Sequence, residues 1–228
     1  MVTNSFSQKQ YATVLERIAK AAQRSGRKPS EVELVAVSKT HPAETLRQAM
    51  EEGVHLFGES RVQEAAIKIP LLSKRVRWHY IGHLQTNKIR KALPLFELFH
   101  SIDSLNLARD MDRMASETGL FPRVLLEVNV SGEGSKYGFS PTTLKEFLSE
   151  LLTLPRLQVE GFMTMAPATK DPETTRPFFA HLRELRDELA LEAGIPFPTL
   201  SMGMSNDYEI AIEEGATLVR IGSALFNH

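Results

Sequence analysis

The chain contains no cysteine, only one tryptophan and no long uninterrupted apolar run. Without thiols there are no disulfides, no thiolate nucleophile and no cysteine-ligated metal, so covalent chemistry falls to other groups and the disulfide argument for secretion disappears. No stretch reaches the roughly 20 apolar residues that a membrane-spanning helix needs. An excess of one charge is missing too: 27 Lys+Arg nearly cancel 28 Asp+Glu, leaving a formal charge of -1. Such a chain has no global field to hold nucleic acid or an anionic membrane. The opening residues, Met1 to Gln10, are polar and lack the apolar centre of a signal peptide, so the expected location is the cytoplasm.

What is present is the composition of a globular protein. Hydrophobic residues make up 42% of 228 positions, enough to bury a large core and too many for a disordered chain. From Gln8 to Arg24, Tyr11, Val14, Leu15, Ile18, Ala19 and Ala22 recur at helical spacing before Ser25-Gly26, which predicts an opening amphipathic helix over 8–24. After it, strand-like and helix-like stretches alternate. Val32 to Val37 leads to a helix from Ala43 to Gly53, Val54 to Phe57 to one over Arg61 to Leu72, and Arg77 to Ile81 to one around Asn87 to Leu93. Leu98 to Ile102 precedes a helix from Leu105 to Thr118, and Val124 to Val130 precedes one opening near Pro141. Leu157 to Met163, Thr199 to Met202 and Thr217 to Ile221 complete the strands.

About eight such units close a (β/α)₈ barrel, and no linker interrupts them, so one α/β domain over 1–228 is expected. An open doubly wound sheet alternates in the same way. The unit count and the missing Gly-x-Gly-x-x-Gly turn after the first strand weigh against it.

In a barrel the reactive groups sit at the C-terminal ends of the strands. Lys39 ends the first. Behind Leu34-Val35-Ala36-Val37-Ser38 it points into the mouth, where desolvation favours a neutral, nucleophilic amine suited to an aldehyde. Leu200-Ser201-Met202-Gly203-Met204-Ser205-Asn206 follows the seventh strand, with a helix beginning near Asn206 or Asp207, and Arg220-Ile221-Gly222-Ser223 ends the eighth. Hydroxyls, glycines and free N–H groups after strands seven and eight are the usual phosphate seat of this fold. An aldehyde bearing a phosphate satisfies all three clusters, and pyridoxal 5′-phosphate is the obvious candidate.

At this point the chain resembles the YggS/PROSC family of pyridoxal-phosphate-binding homeostasis proteins, whose fold looks like the barrel domain of alanine racemase. The match runs nearly end to end. It includes Val35-Ala36-Val37-Ser38-Lys39-Thr40, Phe57-Gly58-Glu59, Val62-Gln63-Glu64 and Trp78-His79-Tyr80-Ile81-Gly82-His83-Leu84-Gln85-Thr86-Asn87-Lys88. Further on come His100-Ser101-Ile102-Asp103, Val128-Asn129-Val130-Ser131, Ser135-Lys136-Tyr137-Gly138, Ser201-Met202-Gly203-Met204-Ser205 and Val219-Arg220-Ile221-Gly222-Ser223.

The resemblance implies a type III barrel that holds the cofactor as an aldimine on Lys39. It implies phosphate contacts from Ser205, Gly222 and Ser223, with Ser201 and the Met204 backbone beside them, and Arg220 facing the pyridine nitrogen. An arginine has no proton-accepting atom and leaves that nitrogen unprotonated, which makes the ring a poor electron sink. Where the family often has Asn-Tyr after Phe-Gly-Glu, this chain has Ser60-Arg61.

The expected role is intracellular pyridoxal-phosphate homeostasis: a carrier without significant catalysis, exchanging cofactor with amines or client enzymes. A racemase is the alternative. It needs a second acid/base opposite Lys39, supplied in alanine racemases by a following β domain. The chain stops at His228, so that domain is expected to be absent and the chain a monomer, with Tyr137 the remaining tyrosine on the rim. A regulatory module that reports cofactor status to a partner protein is a third reading.

Other signals carry less. His79 and His83 are four apart but flank a strand end without an evident carboxylate partner, so metal ligation is not expected. Ser131-Gly132-Glu133-Gly134-Ser135-Lys136 misses the spacing of a phosphate loop and reads as a rim loop from which Lys136 reaches a ligand or partner. Lys88, Arg90 and Lys91 form a short solvated basic face, and Phe96, Phe99, Phe178 and Phe179 read as core.

Overall fold

The structure is a computed structural model that describes residues 5–134 and 137–227. In chain order its elements are β1 (Ser5–Phe6), α1 (Gln8–Arg24), β2 (Glu33–Val37), α2 (Ala43–Glu51), β3 (Leu56–Glu59), α3 (Val62–Lys68), β4 (Arg77–Tyr80), α4 (Ile89–Ala92) and β5 (Leu98–Ile102). They continue with α5 (Leu105–Thr118), β6 (Arg123–Glu127), α6 (Pro141–Thr153), β7 (Gln158–Met163), α7 (Arg176–Ala193), β8 (Thr199–Ser201), α8 (Tyr208–Glu213), β9 (Leu218–Ile221) and β10 (Phe226–Asn227). Strands β2 to β9 form a closed parallel barrel in chain order, β9 pairing back onto β2. The expected (β/α)₈ architecture is met, and the open doubly wound sheet is not.

The local causes are ordinary. A strand covered by helices on one side and barrel interior on the other needs an apolar run, and Val124, Leu125 and Leu126 of β6 are all fully buried. Helix α1 buries Val14, Ile18, Ala21 and Ala22 on one face, and the Ser7 hydroxyl accepts from Gln10 N at its start. Ser104 caps α5 in the same way, and Gly119 ends it in the left-handed conformation at φ 71°. Helix α1 lies beside α8, where Arg24 pairs with Glu213 at 2.7 Å.

The core has two parts. One lies between barrel and helices and holds Phe57, Phe99, Phe162 and Phe179. The other fills the barrel with Val35, Leu56, Leu98, Leu125, Met163 and Leu218. Beneath that inner layer, at the N-terminal ends of the strands, Glu33, Arg77, Glu97, Arg123 and Glu160 form a run of ion pairs across the floor. Reactive groups are thereby left to the opposite, C-terminal end.

Several boundaries move, each for a local reason. The strand expected over Val54 to Phe57 is β3 at Leu56–Glu59, because Val54 N donates to Ala49 O at 3.0 Å and closes the preceding helix. The helix expected to reach Leu72 ends at Lys68 and tightens into a 3-10 turn over Ile69–Leu71. Pro70, which has no N–H to continue the ladder, sits in that turn. Only Ile89–Ala92 of the expected Asn87 to Leu93 helix is α-helical, after a 3-10 turn over Thr86–Lys88. The antiparallel β1–β10 pair, joining Phe6 to Phe226, has two residues a side, too few for a sequence pattern. Among the described residues no helix is long and apolar enough to cross a membrane.

Candidate functional site

The strand pairing itself assembles the site. Val35 lies opposite Arg220 and Ala36 opposite Ile221 in the β2–β9 ladder, so the loops that follow, carrying Lys39 and Gly222-Ser223, emerge side by side. The loop after β8 joins them through Arg220 N, which donates to Gly203 O at 3.0 Å. Position 203 requires glycine: φ is +93°, and a Cβ would stand 2.6 Å from that of Ala211. The same loop is tied back where Met204 N donates to Asp207 Oδ1 at 2.6 Å.

Between these loops opens a cavity of about 480 Å³ lined by Lys39, Met204, Ser205, Arg220, Gly222 and Ser223, with Thr40, His41, Ser60 and Asp207 beside them. Six of the seven residues named from the sequence thus share one cavity. Ser201 does not line it. Its side chain is fully buried behind the cavity, where Oγ accepts from Arg220 Nη1 at 2.5 Å and contacts His100 Nδ1 at 2.9 Å. Lys39 is exposed at the mouth, rather than desolvated as the apolar strand before it implied. Helix α8 is six residues long and starts after the loop, so an anion here would meet hydroxyls and loop N–H groups, not a helix terminus. Gly222 N donates to Ser205 Oγ at 3.4 Å, which joins the two halves of that seat.

Arg220 is buried, and its second amino group donates to Thr164 O at 3.0 Å. Burial pulls its guanidinium down to about 10, against the pull of Glu127 and Asp207, so it stays charged at neutral pH. Below it a polar file runs through the barrel: Arg220, Ser201, His100, and then His79, whose Nδ1 lies 3.0 Å from His100 Nε2. Arginine only donates, so Ser201 Oγ accepts from it and its hydroxyl hydrogen is available to His100 Nδ1; in that tautomer His100 Nε2 donates to His79 Nδ1. Burial drives the His79 imidazole down to about 3 and His100 well below its ordinary value, so both rings are neutral. The file therefore fixes the arginine fork from beneath with uncharged groups.

A second titratable group lies near the mouth. Glu127, at the end of β6, is pushed up to about 7 by burial first and by Asp103 second, with Arg220 opposing. Asp103 in turn pairs with His83 at 3.0 Å, and the His83 ring stacks on Tyr137 at 3.9 Å. His83 therefore does have a carboxylate partner, contrary to the sequence reading: Asp103 ends the adjacent strand and is distant only along the chain. The Tyr137 ring sits on the rim, outside the cavity lining. Ser135 and Lys136 lie outside the described residues.

Ser60 lines the cavity at the end of β3, and its carbonyl accepts from Tyr80 OH at 3.2 Å. Arg61 turns to solvent and pairs with Glu64 at 2.9 Å. Sequence reasoning missed Thr40, His41, Met165 and Asp207 as wall residues. Thr40 and His41 follow Lys39 directly, and that adjacency was the available signal.

Comparison with known proteins identifies the family. Residues 11–228 match the model of the alanine racemase N-terminal domain. The pyridoxal phosphate homeostasis protein of Aquifex aeolicus is 47% identical over 214 residues, covering 93% of this chain and 94% of that protein. Its namesake from Pseudomonas aeruginosa is 44% identical, covering 94% and 92%. The structure of PipY from Synechococcus elongatus with pyridoxal phosphate bound superposes with a TM-score of 0.83 at 40% identity, covering 94% of this chain and all of that one. A barrel that gathers an amine, a buried arginine and a hydroxyl-lined loop pair at one mouth, with relatives this close over nearly its whole length, belongs to the pyridoxal phosphate homeostasis protein family.

Proposed function

We propose that this chain binds pyridoxal 5′-phosphate reversibly in the barrel mouth, attaches it through Lys39, and serves cofactor homeostasis by storage and delivery. The observation that carries this reading is the one cavity whose lining brings exposed Lys39 together with Ser205, Gly222, Ser223 and the Arg220 guanidinium. The residues suit the group: a free amine for an aldehyde, a cation that only donates for a ring nitrogen, and small hydroxyl and glycine positions for a phosphate. When bound, the cofactor supplies an aldehyde that condenses with a primary amine and releases one water.

The chain's own residues do the rest. Lys39 would hold the aldehyde at an exposed position that other amines can also approach. Ser205 and the Gly222 N–H would hold the phosphate end. Arg220, fixed by Ser201 and Thr164, keeps the ring nitrogen without a proton and so disfavours carbanion chemistry. Support for a carrier over a racemase comes from the walls as well: none of the four tyrosines lines the cavity. Tyr80 OH is spent on the carbonyls of Ser60 and His83 and is pushed up to about 12 by burial. Clients are taken to be cofactor-requiring enzymes or free amines.

Lys39→Ala is expected to abolish borohydride-trapped attachment while inorganic phosphate still binds within about threefold, since the phosphate loops are untouched. Isothermal titration with phosphate and mass spectrometry of the reduced protein check the two halves. A Lys39→Ala protein that still carried a reduced pyridoxyl group at the barrel mouth would move the attachment to another lysine, and rapid racemisation of an amino acid by the unaltered protein would replace the carrier with an enzyme.

A further inference from the structure

Lys39 sits in a reverse turn that needs help to exist. His41 N donates to Ser38 O at 3.2 Å, closing the turn Ser38-Lys39-Thr40-His41. Its third residue, Thr40, has φ +68°, the only non-glycine in the left-handed region among the described residues. Turns that need this conformation usually place glycine or asparagine there, and a β-branched residue is strained in it. The strain persists only where the surroundings hold the backbone.

A second lysine does so. Lys68, at the end of α3, is buried, and its ammonium donates to Ser38 O at 2.9 Å, Glu59 Oε2 at 2.8 Å and Glu64 Oε2 at 3.0 Å. Glu59 is fully buried and also accepts from Ser38 Oγ at 3.1 Å and from Ser60 N at 2.8 Å. Glu64 Oε2 accepts from Thr40 N at 3.3 Å. One ammonium thus grips the residue before Lys39 directly and the residue after it through a carboxylate. All three of its N–H bonds are used, which leaves no lone pair for attack on an aldehyde while the contacts hold.

We propose that Lys68, with Glu59 and Glu64, is the positioning device for Lys39: it keeps the strained turn in the one shape that presents the Lys39 amine to the cavity. The inference rests on Lys39 being the attachment point. A purely structural lysine would affect stability alone, whereas a positioning lysine sets how fast Lys39 captures an aldehyde, since small misplacements of a reacting group cost up to about 100-fold in rate.

The test follows the rise of the visible band after mixing protein with pyridoxal phosphate, with borohydride trapping and peptide mapping, in the unaltered protein, Lys68→Met and Lys68→Arg. Lys68→Met is expected to capture at least about tenfold more slowly, with inorganic phosphate affinity held within about twofold and Lys68→Arg recovering most of the rate. Lys68→Met leaves the buried Glu59 without a cation, while Glu64 keeps Arg61, so the combination Lys68→Met with Glu59→Gln, which removes the unpaired buried carboxylate, is measured too. Slow capture in that doubly altered protein at restored thermal stability supports positioning. Capture returning in step with stability, an unchanged rate in Lys68→Met, or a pyridoxyl group found on Lys68 overturns it. A label away from Lys39 in the unaltered protein overturns both this inference and the function proposed above, whereas a label on Lys39 at an unchanged Lys68→Met rate overturns this inference alone.

Discussion

Gly222→Asp is expected to cut retention of pyridoxal phosphate by about 100-fold with Lys39 intact. A carboxylate roughly 5 Å from a bound phosphate at an effective dielectric of about 20 repels it by roughly 3 kcal/mol per charge pair, which is about 100-fold in affinity. Size contributes little beside this. A Cβ at position 222 would stand 3.2 Å from the Cβ of Val37, close enough to need a shift of a few tenths of an ångström and no more. Gly222→Ala is therefore the control and should lose only a few-fold, while Ser205→Ala, which removes one hydroxyl, should lose about tenfold. Fluorescence or calorimetric titration at fixed ionic strength gives the three values. Equal losses for Gly222→Ala and Gly222→Asp would show that no anion sits beside this residue.

The second large effect is on acid stability. His79 is held near 3 by burial, against 6.5 for an ordinary histidine, so the unfolded chain takes up a proton below about pH 6.5 that the folded chain refuses until about pH 3. A group whose folded value is depressed contributes stability that is fully present above the unfolded value and is lost as pH falls toward the folded one. At 1.36 kcal/mol per unit, His79 alone accounts for roughly 4–5 kcal/mol across that window, and His100, buried and depressed as well, steepens the loss. Replacement of His79 by glutamine keeps an acceptor for the His100 N–H and removes the titration. The unfolding free energy from urea titrations should fall more between pH 7 and pH 4 for the unaltered protein than for His79→Gln, since Glu127, raised to about 7, offsets part of the loss equally in both. Identical slopes would mean that the rings in the barrel do not have to stay neutral.

The same two histidines show where the sequence stops being readable. His79 and His100 stand 21 positions apart and are joined only because β4 and β5 are neighbours, with His79 opposite Leu98. Periodicity reports which face a residue takes, not which residue on the next strand it meets. Lys39, Arg220 and Gly222 were legible because each lies at or just past the end of an apolar strand, and a parallel barrel turns strand ends into a mouth. Ser201 had the right composition and the right loop, yet its side chain points behind the cavity to Arg220; the direction depends on where β8 ends, one residue short of the expected Met202. Lys68 drew no attention because a lysine late in a helix normally faces water, and its burial depends on Glu59 in a strand and Glu64 one turn earlier. The bounds of α5, Leu105 and Thr118, were legible, since the turn at Gly119 is local chemistry, and those of α4 less so, where a 3-10 turn absorbs the first residues. Charged residues buried by pairing across elements are what a linear pattern cannot register.

The central claim, a reversible covalent hold on pyridoxal phosphate at Lys39, is tested most directly by one measurement on the unaltered protein: the visible absorption spectrum after loading, then borohydride reduction and peptide mapping of the pyridoxyl group. The account predicts a visible band that disappears on reduction and a label confined to Lys39. A protein that stays colourless and unlabelled, or whose label lies on a lysine outside the cavity, would contradict it.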